Sequence, residues 1–119
     1  MTKHLHTFSA FICQTRFDDI PTGTVSRAKL IIADCVGAIV GGSAEPEILA
    51  FTSSIKSSGT SRILGGSSTT DPQTASLING TAGTVLEMDE GHQFARGHPG
   101  MHVFPALLAA AERATETIS

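Results

Sequence analysis

The chain has 119 residues, 40% of them hydrophobic and 16% charged, with a formal net charge of −3 at pH 7. That length holds one hydrophobic core and excludes a second independent domain, while singly scattered Lys and Arg in an acidic chain exclude a nucleic-acid-binding stripe. Charge content falls below the roughly 25% usual for soluble domains, so more of the surface than normal is expected to be covered by a second chain or by further sequence.

Residues 5–17 place Leu5, Phe8, Ile12 and, less squarely, Phe11 on one stripe, the pattern of a short amphipathic helix ending at Asp18-Asp19-Ile20-Pro21. The first six residues, Met-Thr-Lys-His-Leu-His, have the character of neither a signal sequence nor a transit peptide, which makes the cytoplasm the expected location. From Thr24 onward Val25, Ala28, Ile32, Cys35, Val36 and Ile39 keep the 3.6-residue period of a second helix, with Gly41-Gly42 as its stop. Gly37 and Gly41 lie one turn apart on it, where the missing side chains allow another helix to approach closely. The longest apolar run, Leu30 to Val40, contains Asp34 and is well short of the roughly 20 residues that cross a bilayer, so no membrane span is expected. Cys13 and Cys35 fall inside apolar helical patterns and read as small buried hydrophobes without a disulfide.

Ser43, with Glu45 and Glu47 after it, suits the start of a third helix running to about Ser57 through Ile48, Leu49, Phe51, Thr52 and Ile55. Arg62-Ile63-Leu64 is long enough only for a brief extended pairing. Gly65-Gly66-Ser67-Ser68, with no lysine after it, reads as a loop rather than a phosphate cradle. Asp71-Pro72 is a strong helix start, and Ala75, Ile78, Ala82, Val85 and Leu86 continue in phase across Asn79-Gly80. One further turn of that helix would aim Asp89 into the middle of the apolar face, four residues after Val85, and turn Glu87 to the opposite side. The last helix is expected over Pro105 to Ala114, with Leu107, Leu108, Ala111 and Ala114 inward. The fold class that follows is all-α, a bundle-like array of helices.

Glu87 to Pro105 concentrates three carboxylates, three histidines and an arginine in a bend punctuated by glycine and proline, the natural place to look for a site. His98, between Gly97 and Pro99-Gly100, suits a general acid or base near neutral pH; the plainer reading is an imidazole bonded to a backbone carbonyl. Asp89 is either an inward base or a helix-end carboxylate bonded to loop amides, and Glu87 and Glu90 read first as solvated helix-end charges. Arg96 can clamp a substrate carboxylate or pair with Glu87 or Glu90. The spacing of His92, His98 and His102 matches no standard metal site, so no metal is expected.

Three stretches in order resemble the N-terminal part of the MmgE/PrpD family. They are Ile20-Pro21 with Val25, Ala28-Lys29, Ile32-Ala33-Asp34-Cys35-Val36-Gly37 and Gly42-Ser43-Ala44-Glu45-Pro46-Glu47; Leu77-Ile78-Asn79-Gly80-Thr81-Ala82; and Arg96-Gly97-His98-Pro99-Gly100 with Pro105-Ala106-Leu107. The resemblance implies a helical domain accompanied by a smaller second one, a homodimer, and elimination of water or CO₂ from a small di- or tricarboxylate without a dissociable cofactor. It places His98 on the family's active-site histidine. The acidic element Asp-aromatic-Asp-Asp-Thr reads here Glu87-Met88-Asp89-Glu90-Gly91, with a longer first carboxylate and no threonine hydroxyl. The expected site is therefore His98, Asp89 and Glu87 as proton-transfer groups, with Arg96, His102 and His92 lining the substrate. Family enzymes are several hundred residues long, so the chain is expected to be an N-terminal fragment, inactive alone and associating with the remainder or with itself. The competing expectation is a small helical interaction module whose charged bend is solvated surface.

Overall fold

A computed structural model of the protein describes residues 2–118, with helical side chains described between residues 3 and 115. Its elements are α1 (Thr2–Gln14), a 3₁₀ turn (Phe17–Asp19), α2 (Thr22–Gly42), α3 (Pro46–Ser54), β1 (Ser61–Arg62), β2 (Thr69–Thr70), α4 (Pro72–Thr84) and α5 (Pro99–Ile118). The protein is predominantly helical, at 66%. Among the described residues no helix is long and apolar enough to cross a membrane. Two compact units are present, the first ending at Leu30 and the second beginning at Ile31.

In the first unit α1 has the expected stripe, but Leu5, Phe8, Phe11 and Ile12 are all exposed on it. Cys13 is exposed as well, contrary to the buried thiol expected from its apolar neighbours. The 3₁₀ turn is closed by Asp19, whose Oδ2 accepts the Arg16 amide at 2.8 Å.

The second unit holds the core. Cys35, Ala38 and Ile39 from α2 meet Ile48 from α3, Ala82 from α4 and Met101 from α5, flanked by Ile31, Leu64 and Phe104. The glycine that permits this packing is Gly42. A Cβ there would lie 1.9 Å from the Ala82 carbonyl oxygen, whereas Gly37 has open space and Gly41 meets only Leu86 Cδ1 at 3.4 Å. The close approach is thus one residue past the pair that sequence spacing singled out.

The third helix begins at Pro46 in place of Ser43. Ser43 Oγ donates back to the Val40 carbonyl, and Glu45 stands at the N-cap without a side-chain bond. At its other end Ser53 and Ser54 donate to the Leu49 and Phe51 carbonyls, the competition with backbone bonding that shortens a helix. The expected extended pairing is a two-residue hairpin, Ser61 opposite Thr70 and Arg62 opposite Thr69, whose loop turns through Gly65 at φ 89°. Asp71 caps α4 as its sequence suggests, with Oδ1 accepting the Thr74 amide at 3.0 Å and Oδ2 accepting the Ser57 hydroxyl.

The expectations for the two site-bearing helices need correction. α4 stops at Thr84, whose hydroxyl turns back to the Gly80 and Thr81 carbonyls, so Asp89 lies beyond it on a loop. α5 begins at Pro99, six residues before Pro105, and passes through Pro105 without breaking. Its buried residues are Met101, Pro105 and Ala109, with Phe104, Leu108 and Glu112 half-buried, while Leu107, Ala111 and Ala114 are exposed. That face is selected by what opposes it on α4: Met101 fills the space a Gly83 side chain would take, and Pro105 sits over Gly80.

Candidate functional site

Between α4 and α5 the chain makes two reversals. Glu87 adopts a left-handed backbone at φ 51°, and Arg96 does the same at φ 50°. Between them lies a tight turn in which the His92 amide donates to the Gly97 carbonyl at 2.9 Å and the Arg96 amide to the His92 carbonyl at 2.8 Å. His92 Nδ1 accepts the Ala95 amide at 3.0 Å, so this imidazole fastens its own turn. Phe94 stands at the tip, 85% exposed. The turn returns the chain to His98, which immediately precedes Pro99, the first residue of α5, and whose carbonyl accepts the His102 amide at 3.1 Å.

His98 faces the two residues that end the first reversal. Its Nδ1 lies 2.8 Å from the Glu90 carbonyl and 3.3 Å from that of Asp89. The same nitrogen is 3.2 Å from Asp89 Oδ2, with the Asp89 side chain only 2% exposed and that of His98 41% exposed. The contact is Coulombic: Asp89 Oδ2 is buried and accepts no hydrogen bond. These surroundings raise the His98 pKa above 6.5, chiefly through the hydrogen bond to the Glu90 carbonyl, opposed by partial desolvation and reinforced by the Asp89 charge. Glu90 turns its carboxylate the other way, where Oε1 accepts the Gly100 amide in the first turn of α5 and Oε2 is buried without a partner. Cys35 lies beneath, its thiol pKa raised by burial and by the Glu90, Asp34 and Asp89 carboxylates. A histidine held toward its cationic form, tied along one edge and half open along the other, can hand a proton to a bound molecule; a buried carboxylate beside it stabilises the charge it carries.

The MmgE/PrpD N-terminal domain model matches residues 6–117, nearly the whole chain. The chain belongs to the MmgE/PrpD family. Cis-aconitate decarboxylase from Aspergillus terreus is 31% identical over 98 residues, covering 80% of this chain and 20% of that protein. A cis-aconitate decarboxylase-like protein from Aspergillus oryzae is 28% identical over 105 residues, covering 86% of this chain and 22% of its own length. The chain therefore spans about a fifth of the length of the curated relatives it matches. No solved structure matches it.

Within this MmgE/PrpD chain the structure brings His98 and Asp89 together, although by a loop and not by the helical phase that first suggested Asp89. Glu87 is exposed on the left-handed reversal, and among the described residues Arg96 is exposed without an ion pair. His102 is exposed on α5, one turn beyond His98, beside a groove shared with Gly80, Thr84 and Pro105. Among the described residues no three His, Cys, Asp or Glu side chains converge as a metal site. Sequence reasoning passed over Glu90 as a solvated charge. The available signal was Pro99: proline favours the first position of a helix, so His98 becomes the N-cap and a nearby carboxylate the partner for the free amides after it.

Proposed function

We propose that this chain contributes one wall of the active site of a lyase that removes CO₂ or water from a small di- or tricarboxylate, with His98 and Asp89 as the proton-handling pair. The observation that carries the reading is the half-open imidazole held toward its protonated form against a buried carboxylate, in a family whose named relatives here include cis-aconitate decarboxylase. In decarboxylation the C–C bond to the departing carboxylate breaks, and the electron pair left on carbon takes the proton that His98 gives up. In dehydration a base removes the proton alpha to a carboxylate while an acid protonates the leaving hydroxyl. Arg96 is exposed and available to meet a substrate carboxylate, His102 lies one turn along α5, and Glu87 and His92 are the further polar groups proposed to line the substrate.

The chain alone is proposed to be inactive, since it offers few groups to orient a substrate and little to exclude water. Exposed Leu49, Leu77, Val103 and Leu107 support association with further sequence of the domain or with a second copy. Free Cys13 and Cys35 suit a reducing, cytoplasmic setting.

The test fuses this chain to the remaining part of the A. terreus enzyme and measures CO₂ release from cis-aconitate and water loss from hydroxylated tricarboxylates. Turnover that falls by about 100-fold or more in His98→Ala supports the reading. A folded fusion in which His98→Ala retains full turnover, or which acts on none of these carboxylates, overturns it.

A further inference from the structure

The atoms around His98 Nδ1 share one property: the Glu90 carbonyl at 2.8 Å, the Asp89 carbonyl at 3.3 Å and Asp89 Oδ2 at 3.2 Å can only accept. A ring nitrogen surrounded by acceptors must carry its proton in the neutral imidazole as well as in the cation. Nδ1 is thereby taken out of proton exchange, and Nε2 is left to gain and lose the proton, on a side chain that is 41% exposed.

Glu90 enforces this from two sides. Its backbone carbonyl accepts the hydrogen bond from Nδ1–H, and its carboxylate Oε1 accepts the amide of Gly100, two residues after His98. His98 precedes the first residue of α5, so the helix leaves free amides there, and the imidazole is turned away from them toward Glu90. The fit around the cap is close: a Cβ on Gly100 would lie 2.5 Å from Glu90 Oε1 and 2.8 Å from Ile31 Cγ2. One residue thus fixes the start of the helix that carries His98 and the edge of the ring that is bound.

We infer that Glu90 is a positioning residue that holds His98 as its Nδ1–H tautomer, so that Nε2 is the atom that exchanges a proton with the carboxylate substrate. Nε2 as the reacting atom rests on the lyase reading above; the tautomer and its dependence on Glu90 do not. In the decarboxylation step the imidazolium gives its Nε2 proton to the carbon that has lost CO₂. The ring left behind is neutral, and its Nδ1–H still donates to the Glu90 backbone carbonyl. The bound edge does not rearrange during turnover, which is the advantage of fixing it in advance.

The experiment is nitrogen-15 NMR of histidine-labelled chain, with the His98 signals assigned by their loss in His98→Asn. Above its titration midpoint, His98 is expected to show a protonated, pyrrole-type Nδ1 and an unprotonated, pyridine-type Nε2. Glu90→Gln keeps an acceptor for the Gly100 amide and retains this signature. Glu90→Ala keeps the backbone carbonyls but removes the carboxylate that holds the Gly100 amide, so the start of α5 and the ring of His98 lose their fixed place and both nitrogens shift toward the averaged values of an unrestrained imidazole. A neutral His98 protonated at Nε2 in the unmodified chain overturns the assignment without any variant being needed. An unchanged tautomer in Glu90→Ala removes Glu90 from the account. If the tautomer is as stated while the fused enzyme keeps full turnover in His98→Ala, the lyase reading fails and the positioning by Glu90 stands.

Discussion

Asn79, in the middle of α4, holds Leu64 in place: its buried Oδ1 accepts the Leu64 amide at 2.9 Å, and its Nδ2 donates to the Arg62 carbonyl at 3.0 Å. These bonds satisfy the backbone where the hairpin crosses the helix. Asn79→Ala leaves both groups without partners in a part-buried place and is expected to cost about 1–3 kcal/mol. Urea unfolding followed by circular dichroism measures this, and an unchanged midpoint would mean that water replaces the amide without loss.

Glu112 grips the same hairpin from α5. Its Oε2 accepts the Arg62 amide at 2.9 Å and its Oε1 the Arg62 Nε at 2.7 Å. The Arg62 side chain is largely exposed, so the ion pair itself contributes little, and the backbone bond carries most of the effect. Glu112→Ala is expected to destabilise by about 1–2 kcal/mol and Arg62→Ala by clearly less. Equal losses in the two variants would locate the stabilisation in the ion pair instead.

Much of the fold is legible where a local rule and a tertiary contact agree. Asp71-Pro72 starts α4 because capping and proline geometry need only near neighbours. Of the apolar residues expected to face inward on α2, Cys35 and Ile39 lie in the core because they meet other helices there, while Ala28 and Ile32 are exposed. Asn79-Gly80 is a turn-forming pair, yet the apolar period carries the helix across it as expected, and the hydrogen bonds of Asn79 hold it there. The errors arise where packing against another element decides. Pro105 carries a start signal, yet the true start is Pro99, and the face of α5 is decided by Gly80 and Gly83 across the interface. For the candidate site, residue type and spacing point to His98 and Asp89, but the role of Glu90 depends on two loop reversals that no periodicity encodes.

Gly42→Ala tests the close packing of α2 on α4. The added Cβ would meet the Ala82 carbonyl oxygen at 1.9 Å and Val85 Cγ1 at 2.7 Å, and a helix backbone cannot step aside as a flexible side chain can. The gain in helix propensity is about 1 kcal/mol, while overpacking costs about 1–3 kcal/mol or more when backbone must shift. Gly37→Ala, with open space around it, has only the gain. Thermal melts are expected to fall for Gly42→Ala and to rise or stay level for Gly37→Ala; a Gly42→Ala protein as stable as the parent would refute the close contact.

The charge on His98 links stability to pH, and the direction follows from the raised pKa. The folded state holds the His98 proton more tightly than the unfolded chain, whose value is about 6.5. The stabilisation is therefore fully present below about 6.5 and is lost as the pH rises through the higher folded value. Unfolding midpoints of the parent and of His98→Asn, compared from about pH 5.5 to about 8.5, should differ most at the acid end and converge toward the alkaline end. The Glu90 carbonyl is the largest cause of the shift and the Asp89 charge acts in the same direction, so Asp89→Asn lowers the midpoint of His98 and narrows the pH window in which the two proteins differ. A difference that grows with rising pH would reverse the sign and show that His98 is held neutral in the folded protein.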